Sequence, residues 1–125
     1  MLQLTTIFFL IAFSTLAVIH HIAITLFLYW RLPWFDIPMH AFGGVVVALG
    51  LYTLRDLRLF PDKILTIIPV MLIVLAIALI WEGFEFFAGI AIEGDYFLDT
   101  SIDIMMGLIG GVVGYVVGNS IRSLH

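Results

Sequence analysis

Four apolar stretches, each long enough to cross a bilayer as a helix, restrict what this chain can fold into. They cover residues 4–30, 38–54, 64–92 and 100–120, and a helix needs about 20 residues to cross a hydrocarbon core of about 30 Å. Hydrophobic residues make up 63% of the chain and charged residues only 11%, too few for the surface of a water-soluble domain. We therefore predict an all-α fold, a four-helix transmembrane bundle that forms a single integral membrane domain over residues 1–125.

The distribution of basic residues predicts the orientation of this bundle. Four spans place both termini and the loop at 55–63 on one side, and that side also holds most of the basic residues: Arg55, Arg58, Lys63 and Arg122. The opposite side has only Arg31. Because cytoplasmic loops are enriched in Lys and Arg, we expect both termini to be cytoplasmic. The first stretch lacks the basic start and short apolar core of a signal peptide, so we expect a retained helix.

Charge and cysteine content exclude several classes of partner and site. The net charge of −4 argues against nucleic acid as a partner, whereas membrane lipids are expected to surround the chain. The absence of cysteine excludes disulfides and thiolate metal sites and leaves the redox compartment undefined.

Glycines recur at helical spacing in the fourth stretch. Three pairs four residues apart arise from Gly107, Gly110, Gly111, Gly114 and Gly118. This small-xxx-small pattern is typical of close helix packing in membranes. We expect it to pack against another helix of the chain or against a second copy in a homo-oligomer.

Ionisable residues inside the apolar stretches are the main functional signal. Glu82 and Glu85 are three residues apart and share one helix face. An ionised side chain at the centre of the bilayer costs roughly 2.5–3.5 kcal/mol on insertion scales. The predicted topology brings both glutamates to the same outer-leaflet depth as His40, Asp99 and Asp103. A cation, bound protons or a water-filled cavity must therefore compensate this cluster.

Three interpretations of the cluster stay open. Histidine with carboxylates suits Zn, Mn or Fe, and carboxylate-rich sets also suit Mg, so the first is a divalent-metal site. Its predicted ligands are His40, Glu82, Glu85, Asp99 and Asp103. The second is a network of protonated carboxylates that holds the bundle together. The third is a substrate-binding or proton-relay pocket without metal.

Two adjacent histidines lie in the first stretch. His20 and His21 point about 100° apart on a helix, so we do not expect both in one site. A histidine in the middle of a membrane helix either hydrogen-bonds to a backbone carbonyl or a neighbouring helix, or takes part in metal or proton chemistry.

Three short motifs carry a resemblance to known families. They are DIPMHAFGG, with Asp36 and His40; WEGFE, with Glu82 and Glu85; and DTSIDIMMGLIGG, with Asp99, Asp103 and Gly107. In this order the chain resembles the largely uncharacterised small bacterial membrane proteins of the YjdF type and, more distantly, the VanZ-like family. The resemblance covers residues 36–118 and implies a multi-pass protein of the bacterial inner (plasma) membrane. VanZ-like proteins are associated with glycopeptide antibiotic resistance.

Two functions follow as hypotheses. The first is a divalent-metal-dependent enzyme that acts on a lipid or polyprenyl head group at the outer leaflet, with one carboxylate left as general base. The alternative is a non-catalytic membrane protein that binds a cationic or hydrophobic ligand, or a partner helix, at the same acidic site. A transporter is disfavoured because four short helices leave little room for alternating access unless the chain oligomerises.

Overall fold

Helices are the only regular elements in the part of the chain that the computed structural model describes, residues 2–89 and 95–124. They are α1 (Leu4–Thr25), α2 (Leu28–Arg31), α3 (Asp36–Asp56), α4 (Ile67–Ala88) and α5 (Tyr96–Ser123), with a short 3-10 turn at Asp62–Ile64. Of these, α1, α3, α4 and α5 are long and apolar enough to cross a membrane. The predicted all-helical fold with four candidate spans is confirmed.

The first helix is shorter than predicted. It ends at Thr25 rather than at residue 30, because Phe27 adopts a left-handed backbone with φ 57°. A positive φ is unusual for a bulky side chain and breaks the helical path. The chain then forms the single turn of α2, which places Tyr29 inside the bundle with 6% of its surface exposed.

The third predicted helix also shifts at its ends. Helix α4 begins at Ile67, three residues after the predicted start at residue 64, because a 3-10 turn occupies Asp62–Ile64. It ends at Ala88, where Gly89 takes the left-handed conformation of a C-cap at φ 67°. The predicted extension over residues 90–92 lies outside the described residues.

Helices α3 and α5 both begin earlier than predicted. Helix α3 starts at Asp36 instead of residue 38, since Pro38 falls in the first turn, where its missing N–H is not needed. Helix α5 starts at Tyr96 instead of residue 100, because Asp95 caps it by accepting the backbone N–H groups of Phe97 and Leu98. The predicted start of this helix was therefore four residues late.

Helix α3 is the central element, and α5 packs against it almost backbone to backbone. A Cβ atom added at Gly110 would lie 1.8 Å from the carbonyl oxygen of Ala41, and one added at Gly44 would lie 2.0 Å from that of Gly107. Only glycine allows this approach. The glycine face of α5 therefore packs within the chain, and a homo-oligomer through α5 stays a prediction.

Further contacts fix the register and direction of α3 and α5. The added Cβ at Gly118 would meet the ring of Tyr52 at 2.5 Å. The Tyr52 hydroxyl, fully buried, donates a hydrogen bond to Asn119 Oδ1 at 2.7 Å. Residue numbers rise together along the contact, so the two helices run parallel. Their first turns, which carry the acidic residues and His40, consequently meet at the same end of the bundle.

Candidate functional site

One imidazole nitrogen, His40 Nε2, lies at the centre of a ring of carboxylates. The distances are 3.3 Å to Asp36 Oδ1, 3.6 Å to Glu82 Oε1, 3.6 Å to Asp103 Oδ2 and 3.9 Å to Glu85 Oε2. The side chain of His40 is only 7% exposed. Four acidic side chains from three helices therefore share one buried volume with one base.

Helical spacing and the glycine contact together produce this arrangement. Asp36 and His40 are four residues apart on α3, and Glu82 and Glu85 are three apart on α4, so each pair shares a helix face. Asp103 lies one turn before Gly107, whose surroundings include the backbone of α3 at His40. Close packing of α5 on α3 thus brings Asp103 to the imidazole.

Several buried polar atoms of this cluster lack a hydrogen-bond partner among the described residues. They are His40 Nε2, Glu82 Oε1 and both carboxylate oxygens of Asp103. Asp103 is only 1% exposed. An unpartnered buried polar group costs about 1–3 kcal/mol in proteins, and an unpaired charge costs more. Such atoms are normally satisfied by a bound group or water.

The geometry of a subset fits a metal ion. One ligand atom from each of Asp36, His40, Glu85 and Asp103 lies within 4.8 Å of all the others. Four ligands at about 2.0–2.2 Å from a tetrahedral Zn ion are about 3.4 Å from one another. His40 Nε2 already lies 3.3–3.9 Å from the carboxylate oxygens of the other three residues, so the four side chains could bind one ion once the more distant oxygen pairs move closer together.

The predicted ligand set differs in membership from this cluster. His40, Glu82, Glu85 and Asp103 come together as the topology suggested, whereas Asp99 is half-buried and lies outside the four-residue group. Asp36 joins the cluster although sequence reasoning left it out of the ligand set. It was assumed to precede α3, and a helix start at Asp36 would have revealed its contact with His40.

A second polar pair lies beside the cluster. His20 Nδ1 and the Tyr29 hydroxyl are 2.7 Å apart, while His21 is exposed. Burial raises the pKa of the Tyr29 hydroxyl, and the nearby negative charges of Asp36 and Glu85 raise that pKa further. Tyr29 therefore stays protonated, and its hydroxyl donates to His20 Nδ1 or accepts from it according to the tautomer of His20. Sequence reasoning missed it because Tyr29 fell within the first predicted span.

Trp81 connects the two polar groups. Its indole Nε1 donates a hydrogen bond to Glu85 Oε1 at 2.8 Å. The ring of His20 stands edge-on to the Trp81 ring, with 5.7 Å between their centroids. The His20–Tyr29 pair is thus linked to the carboxylate of Glu85 by direct contacts.

A cavity of about 320 Å³ lies against this site. Its ionisable lining residues are His20, Tyr29, Asp36, His40 and Glu85, and Trp81 lies beside them. Its remaining lining is aliphatic, aromatic or glycine and includes Phe13, Leu16, Val47, Val74 and Ile77. The cavity is therefore polar at the end that carries the cluster and apolar towards the middle of the bundle.

The fold and the cluster define a class: a helical membrane protein with a buried acidic and histidine site. Residues 2–123 match the family described as "Predicted membrane protein (DUF2238)", and the chain belongs to that family. No curated protein and no solved structure matched the chain. The prediction of a largely uncharacterised membrane-protein family is confirmed at this level.

Proposed function

We propose that the protein binds one divalent metal ion through Asp36, His40, Glu85 and Asp103 and acts on a lipid or polyprenyl head group. The observation that carries the proposal is Asp103, a carboxylate that is 1% exposed and has neither oxygen hydrogen-bonded within the described residues. A cation among these side chains would offset the charge that burial makes costly. It would also satisfy the orphaned oxygens.

The donor set limits which metal is expected. One imidazole with three carboxylates suits Mn, Fe or Zn, and Mg is the choice where carboxylates dominate. When bound, such an ion polarises a phosphoryl or carbonyl oxygen or lowers the pKa of a water. The chemistry expected here is hydrolysis or transfer at a head group.

Glu82 is the carboxylate that the proposal leaves free for proton transfer. Its Oε1 lies 3.6 Å from His40 Nε2 and is buried without a hydrogen-bond partner among the residues described. It lies outside the four-residue ligand group. As general base, Glu82 would take a proton from the attacking water and return it to the departing alcohol.

We further propose a location for this site. The excess of basic residues around 55–63 supports cytoplasmic termini and a site near the outer leaflet. The resemblance to YjdF-type and VanZ-like proteins supports a multi-pass protein of the bacterial inner membrane.

The test is the metal content of the protein purified in detergent after growth with Mn, Fe and Zn. Elemental analysis should give about one ion per chain in the wild type and a loss of that ion in Asp103→Asn. Asp99→Asn is the matched control, because Asp99 lies one turn earlier on α5 and outside the ligand group; it should retain the ion. Full metal content in Asp103→Asn, or no metal in the wild type, would overturn the assignment.

A non-catalytic role remains the second candidate, and one observation favours it. Trp81 lines the cavity and contacts Glu85, so an aromatic face and an acidic group meet at one wall. This combination suits a cationic amphiphile through charge and cation–π contact. Under this alternative, Glu85→Gln weakens binding of a quaternary ammonium amphiphile and the protein carries no metal.

A further inference from the structure

The cavity beside the cluster is polar at one end and apolar at the other, and so matches an amphipathic ligand. We propose that it holds one hydrocarbon chain of a membrane lipid whose oxygen-bearing head faces His40 and the Tyr29–His20 pair. This inference names the substrate class of the site and rests on the proposed function for the role of the head. Binding of the hydrocarbon chain depends only on the cavity and does not require a metal.

The size of the cavity fits a single chain. Its volume of about 320 Å³ is near the lower end of ligand pockets, which hold roughly 300–1,000 Å³. It is about twice the 150 Å³ of an engineered apolar cavity that stays dry and binds benzene. A hydrocarbon chain would fill an apolar space of this size without needing a polar partner.

The cavity opens onto the apolar outer surface of the bundle. Three of its lining side chains are also exposed: Phe13 at 52%, Ile77 at 43% and Trp81 at 37%. They belong to α1 and α4, which pack mainly against α3 and α5 respectively rather than against each other. In a bilayer this gap faces hydrocarbon. A lipid chain can therefore enter sideways without crossing water.

The polar end of the cavity has donors and acceptors for a head group. The Tyr29 hydroxyl, paired with His20 Nδ1 at 2.7 Å, lies on one side. His40 and its carboxylates lie on the other, and both sides line the same cavity. An ester, phosphate or hydroxyl oxygen between them would contact both groups while its chain extends towards Val47 and Val74.

Gly43 keeps the apolar part of the cavity open. It lines the cavity, and a Cβ atom added there would meet nothing within 4 Å. Its neighbour Gly44 differs, because an added Cβ there would meet the backbone of α5 at 2.0 Å. A leucine at position 43 should therefore project into the cavity and fill it without separating the helices.

Gly83 supplies a matched control. A Cβ atom added at Gly83 would also meet nothing within 4 Å, yet Gly83 is not among the residues that line the cavity. Gly83→Leu repeats the chemical change of Gly43→Leu at a place that leaves the cavity empty.

The experiment uses the full chain in vesicles of phosphatidylethanolamine and phosphatidylglycerol. A small fraction of the phosphatidylglycerol carries a photoactivatable diazirine in the middle of one acyl chain. After irradiation, labelled peptides are identified by mass spectrometry. In the wild type and in Gly83→Leu we expect label on cavity-lining residues such as Leu16, Val47 and Val74. In Gly43→Leu we expect that label to be lost while label on lipid-facing positions such as Val18 and Ile80 persists.

Folding and metal content are measured on the same samples, so that the two proposals can fail separately. A folded Gly43→Leu variant that still labels the cavity residues would overturn the inference, as would wild-type label confined to the outer faces. If Gly43→Leu does not fold, Ala17→Phe is tested in its place, because Ala17 lies at the exposed rim of the cavity. Loss of label from the cavity residues is again the expected result, and persistence of that label would again overturn the inference. A wild-type protein that is labelled in the cavity but contains no metal would refute the proposed metal function and would still support lipid binding in the cavity.

Discussion

At the scale of single residues, Asp103 and His40 set the energetic problem that this fold must solve. Both side chains are buried, and His40 Nε2 and the two carboxylate oxygens of Asp103 have no hydrogen-bond partner among residues 2–89 and 95–124. A polar atom kept in that state destabilises the free protein and becomes stabilising only when something binds it. Stability of the bundle should therefore depend strongly on what occupies the site.

The first prediction concerns that dependence. With a chelator present, Asp103→Asn should unfold at the same temperature as the wild type or a higher one, because the amide removes a buried charge. With Mn or Zn at about 100 times its Kd, the wild type should gain about 2.7 kcal/mol, and the variant should gain none. Thermal unfolding in detergent measures both. An equal gain in the two proteins would contradict the assignment of Asp103.

A second prediction concerns the pair of Tyr29 and His20. Tyr29→Phe keeps the ring and removes the hydroxyl that lies 2.7 Å from His20 Nδ1. Loss of one partly buried hydrogen bond should lower the free energy of unfolding by about 1 kcal/mol, without loss of metal. Elemental analysis and unfolding of the same sample check both parts. A loss of metal as large as that in Asp103→Asn would mean that Tyr29 supports the metal site directly.

At the scale of elements, the contact between α3 and α5 holds the site together. Gly110→Ala should lower stability by about 1–3 kcal/mol, the usual cost of overpacking, because the added Cβ would lie 1.8 Å from the Ala41 carbonyl oxygen. The same change at Gly83 should be neutral or stabilise by up to about 1 kcal/mol. Unfolding measurements on both variants test this contrast. Equal stability of the two variants would show that α5 packs elsewhere.

The loop between α3 and α4 gives a prediction about pH. Arg55 donates a hydrogen bond to Asp62 and holds the pKa of that carboxyl below its usual value. A depressed folded-state pKa stabilises the fold above the unfolded-state pKa, and this contribution is lost as the pH falls through the folded-state pKa. In an NMR titration, Arg55→Gln should raise the pKa of Asp62. An unchanged midpoint would show that the pair does not form in solution.

At the scale of the whole molecule, the sequence predicted the four apolar helices and the end of the bundle where the acidic residues meet. The length and hydropathy of the apolar stretches and the alternating direction of successive spans are enough for both predictions, since His40, Glu82 and Asp103 all lie near helix ends on one side. Whether Asp36 joins the cluster and Asp99 stays outside it depends on where α3 and α5 begin. The predicted starts of these two helices were two and four residues late. The cavity depends on how far α1 stands from α4, and no local pattern encodes that separation.

The orientation of the molecule is open to a direct test, because the chain has no cysteine. A single cysteine at Lys63 should react with a membrane-impermeant maleimide only in inside-out vesicles. A single cysteine at exposed Trp34 should react only in right-side-out vesicles or intact spheroplasts. The reverse pattern would place the acidic cluster at the cytoplasmic leaflet and would contradict the expected orientation.

The parallel contact of α3 and α5 also has a consequence for biogenesis. A chain enters the membrane in the order of its synthesis, so α3 and α4 arrive with His40, Glu82 and Glu85 before Asp103 and the glycines that seat against α3. Until α5 docks, these side chains lack the helix that shields them from lipid. We therefore expect docking of α5 to complete the enclosure of these side chains, and a chain truncated before α5 to be degraded faster than the full chain.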